Sequence, residues 1–141
     1  MRYKIRRTKR LRDCDYQQLA DFRYALRQFL EFSSNAARKA GLTPQQHQAL
    51  LAIKGLSIAG DVSIGNIAAR LISRHHSTVE LLDRLVDLGL VRRRLDAADR
   101  RRVNILLTAK AERLLATLSE AHIMELKRLR PTLRSLLKVL A

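Results

Sequence analysis

Tryptophan is absent from this 141-residue chain, and the aromatic residues together make up 4% of it. A core so poor in rings has to be built from leucine, isoleucine, valine and alanine, which suits packed helices better than a β-sandwich. A lone cysteine, Cys14, excludes an internal disulfide, and no cysteine–histidine grouping has the spacing of a metal site. No cofactor or metal is expected. No apolar run approaches the roughly 18 residues that read as a membrane span. The segment Met1-Arg2-Tyr3-Lys4-Ile5-Arg6-Arg7 is basic with no apolar stretch behind it. A secretory signal is therefore not expected, and a cytoplasmic location is. Acidic residues are also scarce: 13 stand against 28 lysines and arginines, for a formal net charge of +15. Such an excess repels itself in a compact state and draws polyanions through counterion release. Nucleic acid is favoured as the partner, ahead of an anionic membrane or a merely solvated surface.

What is present is a hydrophobic share of 47%, enough for one packed domain over residues 14–141 and too little chain to expect two. Residues 1–13 hold seven basic side chains (Arg2, Lys4, Arg6, Arg7, Lys9, Arg10, Arg12) and little to bury, so they read as an exposed arm. Asp15 with Gln18 three residues on predicts a helix cap. Leu19, Phe22, Leu26, Phe29 and Leu30 then recur at helical spacing over 16–40, up to Gly41. Thr43-Pro44-Gln45-Gln46 is a helix start with cap, first-position proline and capping-box glutamine, and that helix is expected to end at Gly55. Ser63 caps a short helix over 64–72. After a turn near Ser73 a fourth helix runs towards Gly89, with Thr78, Leu81, Leu82, Leu85 and Leu88 as its inward stripe.

The period then changes. Val91-Arg92-Arg93-Arg94-Leu95 and Val103-Asn104-Ile105-Leu106-Leu107 read as short strands around the polar run Asp96-Ala97-Ala98-Asp99-Arg100-Arg101-Arg102, a hairpin with a basic tip. Thr108 caps a long last helix carrying Leu114, Leu115, Leu118, Ile123, Leu126 and Leu129, divided by Pro131 from a final turn or two over 132–140. The fold class is mainly α with a small β-hairpin wing.

Leu42-Thr43-Pro44-Gln45-Gln46, then His76-Ser77-Thr78-Val79 with Asp83-Arg84-Leu85 and Gly89-Leu90-Val91, then Asp96-Ala97-Ala98-Asp99-Arg100-Arg101 ending in Leu107-Thr108, resemble the MarR pattern in order and spacing. The resemblance covers roughly 16–141. It implies a winged helix-turn-helix at about 43–108, flanked by dimerisation helices at about 16–40 and 108–140. It also implies a homodimer on a pseudo-palindromic operator in double-stranded DNA.

A recognition helix buries one face and offers polar groups near its N-terminus to base edges. Here the outward face is His75, His76, Ser77, Val79, Glu80, Asp83 and Arg84. His75, His76 and Ser77 suit bases or phosphates, Val79 a thymine methyl, and Glu80 a cytosine amino group, although a carboxylate beside phosphates repels. Arg100 and Arg101 suit a narrow minor groove, with the family's wing arginine matched to Arg101 and with Asp99 orienting an arginine. Arg92 and Arg94 suit phosphates, one of the three consecutive arginines having to face the core side and snorkel.

The terminal helices carry more apolar surface than one subunit covers, leaving Ile123, Leu126, Leu129, Leu133 and Leu137 partly exposed without a partner. Cys14 is expected to precede the first helix between two aspartates that disfavour a thiolate, against a peroxide-sensing role that some relatives have. Relatives also bind aromatic acids or acyl thioesters. By that resemblance His47, with Arg23 or Arg27 as anion partner, is a candidate effector site. Gly55-Leu56-Ser57-Ile58-Ala59 only half-resembles a nucleophile elbow, and no catalytic residues are expected. The leading function is a transcription regulator, a repressor released by a small aromatic or acyl ligand. The alternatives are a sequence-indifferent nucleoid-associated or RNA-binding protein, or an adaptor that has lost DNA binding.

Overall fold

Thr43 opens its helix in the way its sequence requires. Its side chain accepts from the Gln46 N–H at 3.1 Å, the Gln46 side chain accepts from the Thr43 N–H at 2.9 Å, and Pro44 stands first in the helix. The computed structural model describes residues 10–140. Its elements are α1 (Asp13–Lys39), α2 (Pro44–Ala59), α3 (Ile64–Leu71), α4 (His75–Asp87), β1 (Val91–Leu95), β2 (Val103–Leu107), α5 (Ala109–Arg128) and α6 (Arg130–Leu140). Of the basic arm, Arg2, Lys4, Arg6, Arg7 and Lys9 lie outside the described residues. The chain divides into two compact units, one of residues up to Phe32 and from His122 onward, the other Ser33–Ala121.

In the second unit, α2, α3 and α4 close around Leu50, Ile53, Ile67, Leu82 and Leu85, all without solvent exposure. The hairpin completes this core through Val91 and Ile105. Its antiparallel register pairs Val91 with Leu107, Arg93 with Ile105 and Leu95 with Val103. The Ile105 N–H also donates to the Val62 carbonyl at 3.1 Å, which stitches β2 to the loop before α3. Ser63 accepts from the Asn66 N–H as the α3 cap, and Thr108 accepts from the Ala111 N–H at the start of α5.

In the first unit the apolar residues are poorly covered. Ala25 and Leu129 are the buried hydrophobic residues described there. His122 is buried with them, edge-on to Phe29 at 5.8 Å and to Phe32 at 5.4 Å between ring centres.

Several boundaries differ from the sequence expectation. Helix α2 runs through Gly55 to Gly60, whose φ of 91° ends it. One interior glycine costs a helix about 1 kcal/mol relative to alanine, and burial of Ile53 and Leu56 on either side outweighs that. Helix α1 starts at Asp13, so Asp15 is not its cap but a first-turn carboxylate that accepts the Arg12 N–H at 2.9 Å. Cys14 therefore lies inside the helix, exposed, rather than before it. Leu88 falls past the last turn of α4 and is exposed, while Leu129 is buried. The break near Pro131 falls at Leu129, and proline takes an early position in α6, where its missing N–H costs nothing.

Helix α3 ends on Ile72, the one described non-glycine residue with positive φ (51°, ψ 46°), and its side chain is 94% exposed. A β-branched residue in the left-handed region is strained, and here no burial compensates. Ile72→Gly should raise stability by about 1 kcal/mol. The check is urea unfolding: the midpoint should rise with the slope unchanged. A lower midpoint would show that the Ile72 side chain contributes packing.

Candidate nucleic-acid interface

Burial of Thr78, Leu82 and Leu85 fixes which side of α4 faces outward. Thr78 is tolerated inside because its Oγ1 donates to the Arg74 carbonyl at 2.9 Å. His75, His76, Ser77, Glu80, Asp83 and Arg84 are exposed on the opposite side, and Val79 is half-buried. Arg74 stands at the N-cap without a side-chain capping hydrogen bond, and the first turn of α4 holds no acidic residue. Its opening N–H groups thus keep the positive end of the helix dipole available to an anion. Glu80 is not an isolated acceptor: its Oε1 lies 3.3 Å from His76 Nε2, one turn back. The two side chains form an ion pair whenever the imidazole is protonated.

The wing is shaped by carboxylates. Asp96 Oδ1 accepts the N–H groups of Ala98 at 2.8 Å and Asp99 at 3.3 Å, and Asn104 Nδ2 donates to its Oδ2 at 3.4 Å. Asp99 Oδ1 accepts the Arg101 N–H at 3.0 Å, so Asp99 orients that arginine through its main chain. Pleating puts Arg93, alone of the three arginines, on the Val91 side of the strand, where it nevertheless stays exposed. Its guanidinium pairs with Asp83 of α4. Arg102 Nη2 donates to Asp61 Oδ1 at 2.6 Å. Arg92, Arg94, Arg100 and Arg101 are exposed, and among the described residues their side chains make no hydrogen bond or ion pair. Sequence reasoning chose these same four. It did not find the two aspartate partners: alternation in β1 signals Arg93, but no spacing rule connects residues 61 and 102.

The remaining candidates are dispersed. Arg23 and Arg27 are exposed on α1 in the first unit. His47 of the second unit is 2% exposed, so its imidazole is packed inside rather than offered to a ligand. Ser57 sits within α2, where its hydroxyl donates to the Lys54 carbonyl at 2.6 Å, unlike a nucleophile on a strand-to-helix turn. Cys14 Sγ lies 3.9 Å from Asp15 Oδ1. Among the described residues no acid, histidine or cysteine group could hold a metal, and no helix is long and apolar enough to cross a membrane.

Helix, turn, recognition helix and basic two-stranded wing follow one another in the second unit, and a family model described as the MarR family matches residues 40–102. The winged-helix segment belongs to the MarR family. The MarR-type fold extends beyond that segment. The MepR–DNA complex of Staphylococcus aureus matches with a TM-score of 0.66 at 23% identity, over 78% of this chain and 80% of that one. MepR alone, described as a transcription regulator of the S. aureus multidrug efflux pump MepA, gives 0.70 at 20% identity, over 85% and 96%. A MarR family protein from Bacillus stearothermophilus gives 0.70 at 24% identity, over 84% and 81%. At these identities the likeness is one of fold. No curated protein matches the sequence.

The Asp96 hydrogen bonds make the MarR-type wing acid-sensitive. Donation from the Ala98 and Asp99 N–H groups holds the Asp96 carboxyl below its ordinary value, against a smaller opposing effect of burial. A depressed pKa contributes stability that is fully present above the unfolded value of about 3.9 and lost as pH falls through the folded one. In an NMR titration the Ala98 and Asp99 amides should therefore move together, with a midpoint below about 3.9. A midpoint at or above that value would mean that the carboxylate does not hold the turn.

Proposed function

We propose that this protein is a transcription regulator that binds double-stranded DNA as a homodimer, acting as a repressor released by a small aromatic or acyl ligand. The observation that carries the DNA-binding reading is the pairing of a rotationally fixed α4 with a wing that keeps four arginines unpaired. His76 and Ser77 would meet base edges in the major groove, Arg100 and Arg101 the minor groove, and Arg92 and Arg94 the phosphates. A sequence-indifferent nucleic-acid binder would use the same net charge, but it has no need of a recognition helix whose orientation is fixed. The MepR–DNA complex supports the reading by fold, and the release step rests on the family resemblance alone.

Competition between an operator and a scrambled duplex at fixed salt tests this. Arg101→Ala should weaken operator binding. His76→Ala or Ser77→Ala should lower the preference for operator by about 1–3 kcal/mol while leaving scrambled-duplex affinity nearly intact. Equal losses on both duplexes would reduce these residues to phosphate contacts and favour the sequence-indifferent alternative.

The dimer is supported by the first unit, where Leu19, Leu26, Leu30, Ile123, Met124, Leu126, Leu137 and Leu140 are all exposed. That exceeds the scattered apolar exposure of an ordinary monomer. A two-fold dimer would place its recognition helices about one helical turn of DNA apart, roughly 10 base pairs. Sedimentation at micromolar concentration and moderate salt should show twice the chain mass, and a clean species of 16.2 kDa would exclude the dimer.

A further inference from the structure

We infer that Asp61 is a positioning residue that keeps Arg102 off the DNA phosphates and pins the wing to the loop between α2 and α3. This limits the sequence-blind part of the affinity, and it rests on the DNA-binding reading above. Arg102 stands at the base of the wing tip with its backbone held on both sides. Its N–H donates to the Asp99 carbonyl at 3.0 Å, and its own carbonyl accepts the Asp96 N–H at 2.9 Å. Asp61 is equally fixed. Its carbonyl accepts from Asn66 Nδ2 at 3.4 Å, and the carbonyl of the next residue, Val62, accepts the Ile105 N–H at 3.1 Å.

Between these two anchored backbones the Arg102–Asp61 contact of 2.6 Å closes a ring of bonds that joins α3, the loop and β2. Exposed ion pairs are weak chiefly because two long side chains must be ordered and salt screens them. Both groups are half-exposed here. Their backbones, however, are held by hydrogen bonds on either side of the pair, and aspartate has only a short side chain to order. A guanidinium released at position 102 would stand beside Arg100 and Arg101 as one more cation. It would add phosphate attraction that does not depend on sequence. Arg93 is withheld in the same manner by Asp83, so the unpaired set on the strands and tip stays at Arg92, Arg94, Arg100 and Arg101.

The test is the salt dependence of binding to a random-sequence duplex, read by fluorescence anisotropy on the full chain. Asp61→Asn should steepen the slope of log K against log salt by about 0.9, the value of one added phosphate contact. Arg102→Ala should leave the wild-type slope unchanged, and Asp61→Asn with Arg102→Ala should return to it. Asp61→Glu keeps the charge and should match wild type. Asp87→Asn removes one exposed carboxylate of α4 that has no ion pair among the described residues, and it should change the slope less than Asp61→Asn. Thermal melting of each variant establishes that it is folded. The inference is overturned if Asp61→Asn does no more than Asp87→Asn, or if Arg102→Ala alone flattens the slope by about 0.9. A wild-type chain with no affinity for duplex DNA would overturn the DNA-binding reading and this inference with it. Measurable wild-type binding with either of the previous results removes the inference alone.

Discussion

Thr78, Leu82 and Leu85 have no solvent exposure, and the two leucines share one cluster with Leu50, Ile53, Ile67 and Ile105. This closure sets the rotation of α4 about its own axis, and with it everything the helix shows to the outside. Successive residues in a helix are about 100° apart, so turning α4 by a single position would carry Asp83 or Arg84 towards the core. Each large aliphatic side chain in that cluster contributes roughly 1.5–3 kcal/mol by leaving water. An unpaired charge in their place costs several times as much. The outward set of His76, Ser77, Glu80 and Arg84 is therefore a consequence of apolar packing on the far side. Polar surface chemistry alone would leave the helix free to roll.

Charge is arranged on the same frame. A chain with a net +15 attracts polyanions by charge alone; for the proposed regulator the difficulty would be to keep that attraction from being indiscriminate. Four aspartates act at or near the wing, each differently. Asp96 and Asp99 accept backbone N–H groups and so shape the turn. Asp83 and Asp61 accept guanidinium groups and so remove Arg93 and Arg102 from the free set. The acids are few in this sequence, and the wing uses them where backbone geometry and cation placement meet.

The order of elements and the strand limits could be read from the chain because local chemistry decides them. Thr43-Pro44, Ser63 and Thr108 each satisfy N–H groups within three residues of themselves, and strand alternation puts one arginine of three on the Val91 side. The end of α2 departs from local signals because Gly55 looks like a stop, whereas burial of Leu56 through tertiary contacts carries the helix on to Gly60. Cys14 falls inside α1 rather than before it because Asp15, which has the right chemistry for a cap, serves from inside the first turn, accepting the Arg12 N–H. The outward face of α4 was legible from its period, but the Glu80–His76 contact changes what Glu80 can offer a base. Asp61 and Arg102 are 41 positions apart, and only the fold brings them together. His47 is a candidate through the family resemblance, while its burial depends on neighbours that no local pattern names.

The first unit raises a separate physical question, because α6 is an eleven-residue helix with no fully buried side chain. Helices of that length are marginal in water unless an apolar face is covered. Leu133, Leu136 and Val139 are only half-covered, and Leu137 and Leu140 are exposed. A second copy of the chain, as proposed, would supply the missing cover, and would also place two recognition helices on one duplex. Salt then acts in opposite directions on the two steps. Screening helps two chains of +15 to associate, because it weakens their mutual repulsion. The same ions compete with the arginines for phosphate and weaken binding to DNA. In the proposed dimer, apolar contact between first units would have to outweigh the repulsion at low salt, and the leucines left uncovered on α1, α5 and α6 are the surface that would supply it.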